Sequence, residues 1–99
     1  MDKPIRKGAV ETLEQKFTIN NKLGLHARPA ALLVQTVNKF QSEVTFQKGK
    51  LKVNGKSIMG VMMLAAGQGS HVTVRISGPD ARKAMMAIAK LFQESFNEA

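Results

Sequence analysis

The hydrophobic pattern of this chain changes period along its length, and the order of those periods limits the fold more than any single residue does. From Lys16, Phe17 and Ile19 alternate with polar residues, the two-residue repeat of a strand with one buried face. Ala30, Leu33, Val34 and Val37 then recur at helical spacing, with Phe40 one turn further on. An amphipathic helix is therefore expected from Ala27 to about Lys39, its start falling at His26. Val44 and Phe46, then Leu51 and Val53, alternate on either side of Lys48-Gly49, as the strands of a hairpin do, and Asn54-Gly55 supplies the next turn. Ser57 precedes IMGVMML, a short helix interrupted by Gly60. GQGS reads as a loop, and Val72, Val74 and Ile76 mark a fourth strand. After SGPD, the residues Ala81, Met85, Ile88, Phe92 and Phe96 trace one apolar stripe of a last helix.

That order, βαββαβα, suits a two-layer α+β domain, an open-faced sandwich of four strands with three helices on one face. A chain of 99 residues is one domain. Residues 16–99 are expected to form it. Residues 1–15 carry mixed charge without sustained periodicity and read as a flexible N-terminal extension.

Composition excludes several classes. No apolar run approaches the roughly 20 residues that span a bilayer. The absence of cysteine removes disulfide and thiol chemistry. The first residues lack the apolar core of a secretory signal, so a cytoplasmic protein is expected. Fifteen basic residues against seven acidic give a formal charge of +8, which favours acidic partners: nucleic acid, an anionic membrane or an acidic protein surface.

Within this frame GLHARPA, residues 24–30, calls for a chemical reading. A histidine capping the first long helix sits where backbone N–H groups and the positive end of the helix dipole favour an anion. Such a field disfavours the imidazolium and stabilises a dianion attached to the ring, while Arg28 can set two N–H donors against phosphate oxygens. Pro29 stiffens the first turn and Gly24 frees the preceding loop. His26 is thus expected to act as a nucleophile.

GLHARPA resembles the phosphorylation-site motif of the HPr family of histidine-containing phosphocarriers, and KSIMGVMML resembles the segment around that family's regulatory serine. The resemblance runs in register from Lys16 onward. It implies an antiparallel sheet and a cytoplasmic carrier in the phosphotransferase system, with no independent turnover of its own. Enzyme I would phosphorylate His26 on Nδ1, Arg28 would steady the group, and a histidine of an IIA domain would receive it. No cofactor and no metal are implied, and a monomer is expected. INNKLGLHAR and KSIMGVMMLAAGQG look more like the family's nitrogen-related regulatory branch, whereas Pro29 looks more like the sugar-transport branch.

Ser57 is well placed as the N-cap of the short helix, which alone explains a serine there. The resemblance adds that a dedicated kinase and phosphatase act on it in some bacteria. Ile58, Met59 and Met62 are more apolar surface than so short a helix can bury, and they are candidates for a docking face. Val61 and Leu64 are assigned to the core. Lys22, Arg28 and Lys56 are candidates for a basic rim that speeds encounter with acidic partners.

Other signals carry less. NGKS fails the phosphate-loop spacing, GQGS leads into a strand instead of a helix, and His71 has no second ligand nearby in sequence. A basic nucleic-acid-binding module is the rival from another class. Against it, Phe17, Phe46, Phe92 and Phe96 are expected in the core, which leaves no stacking platform for bases.

Overall fold

The computed structural model of the protein describes residues 10–98. Its elements are β1 (Glu11–Thr18), α1 (Ala27–Val37), β2 (Glu43–Lys48), β3 (Leu51–Asn54), α2 (Ile58–Met63), β4 (His71–Gly78) and α3 (Ala81–Gln93), followed by a short turn, Ser95–Asn97. The order is the expected βαββαβα. The strands form one antiparallel sheet in the order β1-β4-β2-β3. All three helices lie on one face of it, and Phe17, Phe46, Val72, Val74 and Ile76 from the sheet meet Leu33, Val37, Val61, Ile88 and Phe92 from the helices in a single core. The opposite face shows water a polar surface that includes Lys16, Thr73 and Arg75. All four phenylalanines expected inside are buried.

Strand β1 begins at Glu11, five residues before the boundary expected from alternation. Its register pairs Glu11, Leu13, Gln15 and Phe17 with Gly78, Ile76, Val74 and Val72, which puts all four on the helix side. On an edge strand that side need not be apolar throughout. Glu11 is held instead by an ion pair to Arg82 of α3, 3.0 Å away. The expected extension therefore shortens by the residues of this strand, and residues 1–9 lie outside those described.

Helix α3 also ends earlier than its stripe suggests. It stops at Gln93, and Ser95, Phe96 and Asn97 take left-handed backbone, with φ of 52°, 55° and 61°. Phe96 still reaches the core, edge-on to Phe92, whose ring stacks on Phe17 at 4.6 Å.

The carboxylate of Asp80, at the start of α3, makes no cap bond to its own helix. It accepts from the Ser42 hydroxyl and from the backbone N–H groups of Gln41 and Ser42, tying α3 to the entrance of β2. The Ser42 hydroxyl bond, opposed by partial burial and helped by the backbone donors, holds the Asp80 carboxyl below its usual range. A depressed folded value contributes stability above the unfolded carboxylate value, near pH 4, and loses it as pH falls through the folded one. Asp80→Ala is expected to cost about 2 kcal/mol at pH 7. In urea melts the gap from the parent should narrow at pH 3 and below; a constant gap would contradict this account.

Candidate functional site

The site is built at the N-terminus of α1. The chain leaves β1 through Ile19, fully buried, and turns at Asn21 to Gly24. Gly24 has φ of +65°, and any Cβ there would run into the backbone of Ala66 and Gly67. The next N–H, that of Leu25, donates to the Ala66 carbonyl at 2.8 Å. The loop after α2 thus clamps the approach to His26, and only glycine fits at the point of contact.

His26 is the N-cap of α1 as expected, in extended backbone, and its ring makes no cap hydrogen bond. Its carbonyl accepts from the N–H of Ala30 at 3.0 Å, so the first turn is closed by backbone alone. The side chain is 35% exposed. Arg28 is exposed one position into the first turn, and Pro29 is buried beneath it. The arrangement offers first-turn amides, a guanidinium and an accessible imidazole to one small anion.

One partner of His26 went unseen in the sequence. Both oxygens of Glu98 lie at its Nε2, 3.1 and 3.0 Å away. The buried amide of Asn21 joins them, donating at 2.9 Å to Glu98 and at 2.7 Å to the Gly24 carbonyl. Partial burial works against the Glu98 charge, but the hydrogen bonds from His26 and Asn21, with the positive charge of Arg28 nearby, outweigh it and hold the carboxyl below its usual range. Nδ1 of His26 has no hydrogen-bond partner among the described residues.

Helix α2 runs back along α1 in the opposite direction. Asn38, just beyond the end of α1, donates to the Lys56 carbonyl before the start of α2, and Ala66 beyond its end receives Leu25 beside His26. Ser57 caps α2, its hydroxyl accepting from the Gly60 N–H at 3.0 Å. Val61 and Leu64 are buried, as expected. Ile58, Met59 and Met62 are exposed by 44, 73 and 41%. Met63, at the end of α2, and Leu23, in the loop before His26, are exposed as well. No apolar periodicity singled them out.

Lys22 is exposed in the loop before His26 and stands with Arg28. Lys56 does not join that rim. Its amine donates to the Phe40 carbonyl at 2.9 Å, past the far end of a helix about 16 Å long. Phe40 lies three residues beyond the last residue of α1, so this bond anchors the loop that enters β2, and Lys56 stands at the opposite end of α1 from Lys22 and Arg28. His71 is exposed and meets the Thr18 hydroxyl through Nδ1. Among the described residues no three His, Asp or Glu side chains gather as a metal site would require, and no helix is long and apolar enough to cross a membrane.

Known proteins share both the fold and much of the sequence. The family model for the PTS HPr component phosphorylation site matches residues 13–94. The chain belongs to the HPr phosphocarrier family. It is 56% identical to the phosphocarrier protein HPr of Xylella fastidiosa strain Temecula1, over 87% of this chain and 97% of that one. A crystal structure of HPr-C-His from Thermoanaerobacter tengcongensis superposes with a TM-score of 0.85 at 46% identity, covering 88% and 98% of the two chains. A structure described as an HPr dimer from the same organism aligns at 0.71 with 49% identity, over 81% and 92%. HPr proteins are phosphocarriers of the phosphotransferase system, and membership sets aside the nucleic-acid rival.

Proposed function

We propose that this chain takes a phosphoryl group from the phosphohistidine of enzyme I onto Nδ1 of His26 and delivers it to a histidine of an IIA domain, as a monomeric carrier in the cytoplasm. The observation that carries this reading is the placement of His26. Its Nε2 is occupied by Glu98, while Nδ1 is unpartnered among the described residues, at a helix start where amides and Arg28 suit a dianion. In-line transfer between two imidazoles asks mainly for positioning and charge stabilisation, and this site supplies both. Ile58, Met59 and Met62, joined by Leu23 and Met63, form the apolar face on which enzyme I and the acceptor dock in turn, with Lys22 and Arg28 steering acidic partners onto it.

The test is intact mass after incubation with phosphoenolpyruvate, Mg²⁺ and the cognate enzyme I. One added phosphoryl group, removed by brief acid treatment, is expected. An unchanged mass with a demonstrably active enzyme I would overturn the carrier reading.

Ser57 is proposed as a second phosphorylation site, used by a serine kinase and cleared by a phosphatase to regulate docking. It starts α2 at one end of the apolar face, so a dianion there changes what an incoming partner meets without unfolding the helix. Ser57→Asp is expected to keep the melting temperature, since Asp also caps well, and to slow phosphorylation by enzyme I about tenfold at low salt. Transfer at the parent rate would count against a role in docking.

A further inference from the structure

We infer that Glu98 is a positioning residue for transfer at His26: its carboxylate keeps the ring proton on Nε2, so that the imidazole meets its donor with the Nδ1 lone pair ready to attack. The inference rests on the reading of His26 as the phosphoryl carrier and names a further residue for that reaction.

An ionised carboxylate accepts hydrogen bonds and donates none. With both Glu98 oxygens at Nε2, the contact is satisfied only when Nε2 carries a proton. In the neutral ring the other nitrogen is then bare. Asn21 makes this more than a chance meeting of exposed side chains. Fully buried, it donates to Glu98 and to the Gly24 carbonyl from the same amide nitrogen, so the carboxylate and the loop leading into His26 are fastened to one group.

The backbone points the same way. Ser95, Phe96 and Asn97 are three consecutive non-glycine residues in the left-handed region, which L-residues rarely occupy in a run. Strain of this kind persists where surrounding contacts enforce it, and it gathers at functional sites. Phe96 is pinned in the core against Phe92, and the reversal that follows carries Glu98 back over His26. Arg28, Asn97 and Glu98 then line two surface clefts, one bounded by Leu32 and Gln35 and the other by Lys22 and Leu23.

In the transfer, the Nδ1 lone pair forms the new N–P bond as the N–P bond of the donor phosphohistidine breaks, and the electron pair of that bond returns to the donor ring. The proton on Nε2 stays where it is. The accepting ring therefore gains positive charge as the bond forms, and Glu98 faces that charge directly. The carboxylate that selects the tautomer also stabilises the charged ring, the part an oriented carboxylate plays beside the histidine of a Ser-His-Asp triad.

Histidine-¹⁵N NMR of the full chain, recorded where His26 is neutral, tests the tautomer, and enzyme I kinetics test its use. The parent should show Nε2 bearing the proton and a bare Nδ1. Glu98→Ala should show averaged shifts from two exchanging tautomers. Its maximal phosphorylation rate should fall about tenfold, the low end for losing a hydrogen bond to a charged group, with KM for enzyme I unchanged. The melting temperature should drop by only a few degrees, since Asn21 and His26 each lose one acceptor. A Glu98→Ala protein that keeps the pure Nε2–H form, or that is phosphorylated at the parent rate, overturns the assignment. A parent chain that enzyme I never phosphorylates defeats the carrier reading instead, and the tautomer comparison still decides whether Glu98 sets the ring.

Discussion

His26→Ala is expected to fold normally and to gain no phosphoryl group from enzyme I. The backbone carbonyl of residue 26 closes the first turn of α1, and alanine keeps it. The ring makes no cap bond, so its removal forfeits the contact with Glu98 and little packing. A loss of about 1 kcal/mol or less is expected, as for a modest cap substitution. The chemical loss is complete, because no neighbouring side chain can stand in: His71, the other histidine of the chain, lies at the start of β4, engaged with Thr18. A thermal melt and the intact mass after the enzyme I reaction check both halves. An acid-labile phosphoryl group on the alanine variant would show that the site assignment is wrong.

Phe92→Ala carries the largest expected loss of stability, about 3–5 kcal/mol in urea unfolding at pH 7. Phe92 is 3% exposed and joins three parts of the molecule, stacked on Phe17 of β1 and edge-on to Phe96 beyond α3. Its removal costs burial and leaves a void that neither neighbouring ring can fill without abandoning its own contacts. Phe96 should loosen with it and release the turn that delivers Glu98. A loss below about 1 kcal/mol would mean that the end of α3 collapses onto the gap, the outcome a poorly packed site would give.

The core could be read from the sequence wherever an element buries one complete face. The stripe of α1 and the alternation of Val72, Val74 and Ile76 needed no knowledge of their neighbours. His26 was legible for a related reason, since the position of a residue at a helix start follows from the stripe behind it. The misreadings came where a neighbour decides. The edge strand β1 tolerates Glu11 and Gln15 on its inner side, one of them satisfied by Arg82, so its early half shows no period. Phe96 keeps the spacing of the α3 stripe although the backbone has already left the helix. Glu98 reaches His26 across 72 positions, and the Lys56 amine finds a carbonyl 16 positions away. Contacts of that kind leave no periodic trace.

The helix-free side of the sheet has a practical consequence. Lys16, exposed on β1 opposite Thr73, lies across the core from α1 and α2, and the chain contains no cysteine to compete with one introduced there. A Lys16→Cys protein offers a single addressable thiol. A fluorophore or surface tether at that position would leave the His26 side unobstructed, so encounters with successive partners could be timed one molecule at a time.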